Sequence, residues 1–364
     1  MRAKLLHTQE RELFNAFVRS QNGSFLQSFE WGELKQFTGW QPLRLVLEDG
    51  GQIHAGISIL ILPLPMGRSI LYAPHGPIIP NCNQRLLHLL LQEIEPIARE
   101  NRAIFLKIDP PIPSTQTQYR KALLEAGLRL VDKGKNFENV QPKYVFRLGI
   151  EKSEEELLND MKSKTRYNIR YALRKGVKVR CSMDKRELEG FYTLLLETCK
   201  RDGFSVRSFA YFSRMWDIFV PRNMARLFLA HYEGQLLSAT LLFLFGKQAW
   251  YVYGASSNEH RNLQPNYAIQ WEMIRYAKQK GCTVYDFRGI SGDLDPENPL
   301  YGLYRFKEGF NPTLVEYIGE FDLPYNVLLW QLYNKGEPLL RQMMLTKEPL
   351  KQRIKGLLSP RSSS

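Results

Sequence analysis

The sequence is poor in the residues that build metal centres and disulfide frameworks. Its 364 residues include four cysteines, with no Cys-x-x-Cys pair, and six scattered histidines. It has neither a His-Glu-x-x-His zinc motif nor a phosphate-binding P-loop. We therefore expect no metal site and no histidine-based triad.

Long hydrophobic runs are also missing. The longest, ISILIL and LLFLF, end at Pro63 and Gly246, whereas a membrane-spanning helix needs about 20 apolar residues. The first residues lack the apolar core of a secretory signal. We expect a cytoplasmic protein, and any membrane contact to be peripheral.

Acidic residues are absent from one stretch, KSKTRYNIRYALRKGVKVR at 162–180, which holds eight basic residues. The whole chain carries a net charge of +13 and has a pI near 9.5. Such a balance is typical of proteins that meet polyanions or anionic surfaces. The candidates for this stretch are nucleic acid, a membrane surface, an anionic small substrate or simply a solvated helix face.

The basic stretch follows a helical pattern, for which we predict a helix from Leu158. Its apolar stripe comprises Leu158, Met161, Thr165, Ile169 and Ala172. Arg166, Arg170 and Arg174 recur every fourth residue and form a ridge beside that stripe. We interpret the ridge as a contact for a polyanion, with a solvated basic face as the alternative.

The chain repeats one order of elements. In residues 43–62 and again in 225–245, a strand, a glycine turn and a second strand follow one another, with DGGQ and YEGQ at the turns. Each half then continues with a strand, a helix and a strand that carries Asp109 or Asp286. This self-similarity indicates a duplicated domain. We predict an α+β fold of mixed α/β layers, with a cleft between or beside the two domains.

The C-terminal region interleaves Lys and Arg with Leu and Met from Lys335 onwards. This pattern predicts an interfacial amphipathic helix or a helix packed on the first half. Residues 358–364 are predicted to be disordered.

Five stretches share a family pattern, namely FLQSFEWGELKQFTGW, KTRYNIRYALRKGVKV, YVYGAS, PNYAIQWEMIRYAKQKG and YGLYRFKEGFNPTLVEYIGEFDLP. Together they resemble the Fem-type (FemABX) peptidoglycan bridge aminoacyltransferases, which belong to the GNAT-like superfamily. The resemblance covers nearly the whole chain, and YRFKEGF in this order with the others is specific. It implies one GNAT-like domain from 1–150 plus about 316–364, and another from 151–315.

The resemblance also implies a function. The enzyme would move an amino acid from aminoacyl-tRNA, its co-substrate, to the stem-peptide amine of a peptidoglycan precursor, either lipid II or a UDP-linked muropeptide, without a cofactor. The ridge of Arg166, Arg170 and Arg174 would then contact the tRNA acceptor stem or anionic membrane headgroups. Some members insert a helical arm before the PNY helix. Here only a few residues separate Ser256 from Pro265, so the chain resembles the armless members.

Two candidate catalytic residues follow from the resemblance. Lys307 in YRFKEGF matches the family lysine at the tRNA end, and a fixed cation there suits a developing oxyanion. Phe306 and Phe310 flank it, and Phe306 is expected to stack on the terminal adenine. Asp109 matches an aspartate of the acceptor cleft that accepts the amine proton or orients the acceptor. The alternatives are a Lys307–Glu308 surface turn and a strand-end cap at Asp109.

Four residues match the family's acceptor pocket. Lys35 and Arg207 correspond to its diphosphate-binding pair, and a guanidinium donates two hydrogen bonds to phosphate. Tyr211, on the same face as Arg207 if the segment is helical, and Tyr253 correspond to its lining tyrosines. Tyr251 replaces Tyr253 if the register slips, because alternate strand residues share a face.

Two other functions stay open. A CoA-dependent N-acyltransferase of the same superfamily holds pyrophosphate on N–H groups of a glycine-rich turn at a helix N-terminus. The corresponding SSNEHRNLQPNYAIQW has no glycine, and Pro265 lacks an N–H donor. The second alternative is a non-enzymatic membrane- or RNA-binding module that uses the basic ridge and the tail.

Overall fold

A computed structural model of the chain describes residues 1–131 and 134–336. The predicted amphipathic helix, beyond its first two residues, and the predicted disordered segment at 358–364 lie outside the described residues. None of the helices in the described ranges is long and apolar enough to cross a membrane.

The described residues form fourteen strands in two sheets. The strands are β1 (Arg2–Leu5), β2 (Gln41–Asp49), β3 (Gln52–Leu64), β4 (Arg68–Ala73), β5 (Ala103–Ile108), β6 (Arg129–Val131), β7 (Tyr144–Gly149), β8 (Lys178–Ser182), β9 (Ala225–Tyr232), β10 (Gln235–Phe245), β11 (Gln248–Ser256), β12 (Val284–Gly289), β13 (Thr313–Glu316) and β14 (Glu320–Pro324).

Helices connect and cover these strands. They are α1 (Arg11–Ser20), α2 (Phe29–Gln36), α3 (Gln84–Glu100), α4 (Thr117–Glu125), α5 (Glu154–Asp160), α6 (Ser163–Arg174), α7 (Leu188–Asp202), α8 (Phe209–Phe219), α9 (Pro265–Gln279), α10 (Tyr301–Glu308) and α11, which begins at 327 and is described to 336.

The two sheets have equivalent strand orders. The first runs β1-β2-β3-β4-β5-β14-β6, and the second, read in the same sense, runs β8-β9-β10-β11-β12-β7-β13. In each sheet the fourth and fifth strands are parallel and every other neighbouring pair is antiparallel. Parallel neighbours need a crossover, which α3 and α9 supply. This equivalence supports the predicted duplication.

The halves exchange one strand. β7 follows the strands of the first half along the chain but pairs with β12 and β13 of the second sheet, while β14 returns to pair with β5 and β6. The predicted boundary at 150 is therefore wrong with respect to β7, because β6 is the last strand before this point in the first sheet and β7 already belongs to the second sheet. Such pairings join residues far apart in sequence, and local patterns do not specify them.

A continuous core crosses the boundary between the halves. The ring of Phe25, just before α2, lies 4.8 Å from that of Phe243 and 5.1 Å from that of Trp250. All three side chains belong to one cluster that also contains Phe14 of α1 and Phe212 of α8. Because interiors pack densely, this shared core holds the two sheets at a fixed separation.

The basic stretch forms a helix, but not one that starts at Leu158. α5 ends before Met161, whose ψ of 155° is extended, and α6 starts at Ser163. The Lys162 N–H donates to the Gly309 carbonyl at 3.0 Å, so a tertiary contact interrupts the helical run. The predicted apolar stripe is otherwise buried from Met161 to Ala172, where α6 packs on α9.

Candidate active site

A groove opens where the parallel strands of the second sheet separate. β11 and β12 pair only from Gln248 with Val284 to Trp250 with Asp286. Beyond these residues the strands diverge, and the space between them forms a groove of about 690 Å³. β11, the start of α9, the end of β12 and α10 line it. The groove is concave and its lining includes convergent polar groups such as Lys307, Arg288 and Asn266, which makes it the candidate active site.

Lys307 lies in the last turn of α10 and faces this groove. Its side chain is only 4% exposed, so the alternative of a surface turn is wrong. Its Nζ donates to the Gly289 carbonyl at 2.7 Å and lies 5.7 Å from the Tyr251 ring. Burial lowers its pKa to about 7, although the nearby Asp286 opposes the shift. Near neutral pH this amine therefore changes its charge readily.

The two phenylalanines beside Lys307 differ in position. Phe306 lines the groove and meets Tyr267 edge-on at 4.9 Å. Phe310 is buried in the core of the second half, 5.3 Å from Phe287. Of these two phenylalanines, Phe306 is therefore the one that faces the groove, and its contact with a terminal adenine stays a prediction.

The predicted acceptor residues lie together. Lys35 of α2 has its Nζ 5.9 Å from the Tyr211 ring, and the Arg207 Cζ is 5.8 Å from the same ring. The Tyr211 and Tyr253 hydroxyl groups interact. Burial, together with the charge of Arg207, lowers the pKa of Lys35 to about 8. No carboxylate in residues 1–131 and 134–336 pairs with either cation, so an anionic ligand would satisfy both.

The structure gives the geometry behind two of the predictions, the contact of Arg207 with Tyr211 and the choice between Tyr253 and Tyr251. Arg207 precedes α8, which Ser208 caps, so Arg207 and Tyr211 do not meet through a helical repeat. A register shift in the pairing of β10 with β11 leaves Val252 without a partner. Tyr253 packs on Phe212 at 5.0 Å, whereas Tyr251 packs in the other core cluster. The bulge therefore assigns Tyr253 to the acceptor cluster.

Asp109, directly after β5, is buried with both carboxylate oxygens engaged. Oδ2 accepts from the Tyr72 hydroxyl at 2.6 Å, and Oδ1 accepts from the His75 N–H at 2.6 Å. Burial first, and then the charge of Glu320, raise the pKa of Asp109 to about 8. These contacts suit a residue that orients its neighbours, and they leave little access for an amine.

Gln141 links Asp109 to the groove. Its Nε2 donates to the Tyr72 hydroxyl at 3.3 Å, and its Oε1 accepts from the Arg288 guanidinium at 2.7 Å. Arg288 is the last but one residue of β12 and lines the groove, as Lys307 does. Neither residue is predicted from the sequence, because Gln141 belongs to the segment that crosses between the sheets. The available signal is that Arg288 stands two residues after Asp286 in the same strand.

The predicted arginine ridge divides into two parts. Arg166 donates to the carbonyls of Asn159 and Met161 and so completes the end of α5. Arg170 and Arg174 are exposed, and no carboxylate of the described chain forms an ion pair with them. Tyr167 is also exposed and stacks on Tyr171, with the ring centroids 5.7 Å apart.

The same described residues contain no group of three or more His, Cys, Asp or Glu side chains that could hold a metal ion. Between β11 and α9, the short segment 257–264 contains one 3-10 turn, Arg261–Leu263, and no helical arm.

The strand order and the open parallel pair define a tandem GNAT-like protein. A tandem GNAT protein from the clavulanic acid biosynthesis pathway shares this fold, with a TM-score of 0.51 and 10% identity over 88% of this chain and 97% of that one. The predicted fold class is confirmed.

The family model described as the FemAB family matches residues 9–234 and 229–336, and the chain belongs to that family. The lipid II:glycine glycyltransferase of Staphylococcus aureus strain MRSA252 is 29% identical over 92% of this chain and 96% of its own. The crystal structure of FemX matches with a TM-score of 0.85 and 28% identity, over 91% of this chain and 99% of that one. The predicted family is confirmed.

Proposed function

We propose that this protein is an aminoacyltransferase of peptidoglycan bridge synthesis. It transfers an amino acid from aminoacyl-tRNA to the stem-peptide amine of a precursor that carries a diphosphate, such as lipid II or a UDP-linked muropeptide. Membership of the FemAB family and likeness to lipid II:glycine glycyltransferases support the reaction class.

One observation carries the proposal: β11 lines the groove of the buried Lys307 and also contributes Tyr253 to the cluster of Lys35 and Arg207, two cations with no carboxylate partner among the described residues. Lys307 faces the groove, while Lys35 and Arg207 surround Tyr211. Along β11, the groove-lining residues Val252 and Gly254 flank Tyr253, whose hydroxyl group interacts with that of Tyr211. An activated ester at Lys307 and a diphosphate at the cation pair would place donor and acceptor side by side.

The chemistry is aminolysis of an ester. The unprotonated amine attacks the ester carbonyl, and the resulting oxyanion needs a positive group that is already in place. The Lys307 ammonium supplies that charge in a site of low exposure, where an electrostatic interaction is stronger than in water. Asp109 orients Tyr72 and the backbone at His75 by its two accepted hydrogen bonds.

The RNA part of the donor would lie along the second half. Phe306 offers a ring to the terminal base, a contact that is worth about 1–3 kcal/mol and tolerates any base. α6 begins beside α10, because Lys162 forms an ion pair with Glu308 at 2.7 Å. Along α6, Arg170, Arg174 and the exposed Tyr167 then offer charge and a stacking surface to the acceptor stem.

A transfer assay tests the proposal. Purified protein is incubated with tRNA charged with several amino acids and with a muropeptide or lipid-linked precursor, and the acceptor mass is followed by mass spectrometry. We expect the gain of one amino acid residue, and no gain with deacylated tRNA or with an acceptor whose amine is acetylated. Transfer from an acyl-CoA, with none from any charged tRNA, would overturn the proposal.

A further inference from the structure

Arg288 adopts a backbone conformation that side-chain-bearing residues avoid. Its φ is +62°, in the left-handed region, where the Cβ approaches the following carbonyl. Its N–H donates to Asp286 Oδ1 at 2.6 Å, which holds this conformation. Glycine is the residue best suited to such a position. An arginine kept there at the mouth of a groove indicates that its side chain is used.

The Arg288 guanidinium has one hydrogen-bond partner among the residues that the structure describes, Gln141. Its Nη2 donates to Gln141 Oε1 at 2.7 Å, and among residues 1–131 and 134–336 no carboxylate lies within ion-pair distance of it. Because an arginine side chain only donates, this contact also fixes the orientation of the Gln141 amide. The amide group therefore donates to Tyr72, which in turn donates to Asp109. Other guanidinium donors remain available in the groove.

We infer that Arg288 is a second cationic group of the reaction centre, that it donates to the ester carbonyl oxygen of the donor as this oxygen becomes an anion, and that Gln141 holds it in position. The inference rests on the proposed function. Lys307 lines the same groove and already donates to the Gly289 carbonyl. Arg288 supplies a second cation there, a planar guanidinium with several N–H donors.

The step balances without a further reactant. The acceptor nitrogen forms a bond to the carbonyl carbon, and the C=O electron pair moves to the oxygen held by Arg288. When that pair returns, the bond between the carbonyl carbon and the ribose oxygen breaks. The nitrogen loses one proton and the ribose oxygen gains one, so an ester and an amine become an amide and an alcohol.

Gln141 is a positioning residue in this scheme. It touches Arg288 on one side and Tyr72 on the other, so it connects the acceptor-side residue Asp109 to the groove. A guanidinium on a flexible stem loses less freedom in the reaction when it is held beforehand.

The test substitutes Arg288→Gly, which removes the cation while fitting the backbone. We expect kcat for transfer to fall by about 10²-fold, in the range for the loss of one oxyanion donor, with a smaller change in KM and an unchanged or higher Tm. Arg102→Gly is the matched control, because Arg102 also has a positive φ of 48° and is exposed, away from the groove. It should keep the wild-type kcat.

Three further variants distinguish the role of the Arg288 side chain in transfer from an effect of its loss on folding. Arg288→Asn is also neutral and tolerates the left-handed region, so it should lose activity in parallel if the glycine variant proves unstable. Gln141→Leu should lower kcat several-fold, and Gln141→Glu, which keeps an oxygen for Arg288, should restore most of it. A wild-type kcat in a folded Arg288→Gly or Arg288→Asn protein overturns this inference alone. A wild-type protein inactive with every aminoacyl-tRNA overturns the proposed function and the inference together.

Discussion

The two halves share a strand order but differ where their parallel strands end. In the first half, β4 and β5 stay paired as far as Ala73 with Ile108, and Asp109 closes the end through Tyr72 and His75. The remaining cavity there is about 10 Å³, close to the least space that one water needs. In the second half the strands part early and leave about 690 Å³. Of the two parallel-strand ends that the structure describes, the one in the second half therefore has the space for a substrate.

Each half also buries a lysine, with opposite consequences. Lys107 of β5 forms ion pairs with Asp322 at 2.7 Å and Glu320 at 3.3 Å, and these carboxylates raise its pKa against the effect of burial. Lys307 meets a carbonyl, and its pKa falls to about 7. Burial alone does not decide what a lysine does. A buried cation that pairs with carboxylates keeps their charges compensated, whereas one without an ion-pair partner in the described chain is available to a substrate.

We expect the largest effects from replacing each of these two lysines by methionine. Lys307→Met should lower kcat by about 10²–10³-fold with no loss of stability, because a buried charge without a carboxylate partner is removed. Lys107→Met leaves two buried carboxylates unpaired and should cost about 3–5 kcal/mol of unfolding free energy, with transfer per folded molecule retained. Denaturant unfolding and single-turnover kinetics measure the two effects.

Two results would contradict these roles of the two lysines. One is an unstable Lys307→Met protein with normal turnover, and the other is a stable Lys107→Met protein without activity.

The second prediction concerns pH. Because the pKa of Lys307 is about 7, its ammonium loses its charge as pH rises through that value. The oxyanion needs the charged form, so kcat/KM for the donor should fall by about tenfold for each pH unit above 7. Lys307→Arg keeps its charge throughout. The ratio of wild type to Lys307→Arg at each pH cancels the ionisation of the acceptor amine, and a ratio that stays constant from pH 6 to 9 contradicts the assignment.

A smaller effect is expected at the closed end of the first half. Asp109→Asn should keep transfer within about tenfold of wild type, less than the loss expected for a general base. Asp109 also makes stability depend on pH. It keeps its proton in the native state up to about pH 8 but loses it near 3.9 when unfolded. Its contribution is therefore full below about pH 4 and declines as pH rises through 8.

The Asn variant lacks this titration, so its unfolding free energy relative to wild type should increase between pH 5 and pH 8. Chemical denaturation at the two pH values measures the change. A loss of transfer as large as that of the Lys307 variant would restore Asp109 as a base.

The smallest effect should come from the basic surface of α6. Arg170→Gln and Arg174→Gln should each weaken tRNA binding modestly and lower the slope of log affinity against log salt by about 1. Arg85→Gln is the matched control, because Arg85 is also an exposed helical arginine but lies on α3, in the first half of the chain. Filter binding over a salt series measures the slopes. Equal slopes for all three variants would remove α6 from the RNA path.

Local patterns predict the parts of this fold that depend on neighbours in sequence. The hairpins at DGGQ and YEGQ form because Gly51 and Gly234 take positive φ values, and the buried stripe of α6 follows from its period. Three other features depend on contacts between residues far apart in sequence, and local patterns do not predict them. They are the exchange of β7 and β14, the break between α5 and α6 where Lys162 bonds the Gly309 carbonyl, and the bulge at Val252.

The same division holds for the site. Lys307, Phe306, Lys35 and Tyr253 are predicted because they lie in stretches with a family pattern, whereas Arg207 and Tyr211 are predicted because they match the family's acceptor pocket. Gln141 and Arg288 become visible only when the crossing segment is placed between the sheets, since their roles come from the hydrogen bonds that join Asp109 to the groove.

A crystal structure with a short RNA that ends in a non-hydrolysable 3′-aminoacyl adenosine tests the central claim most directly. The terminal adenine should lie against Phe306 between β11 and β12, with the aminoacyl carbonyl oxygen within hydrogen-bond distance of the Lys307 Nζ. A terminal aminoacyl group found at the closed end of β4 and β5, or out of reach of Lys307, would contradict the assignment of the reaction to the second half.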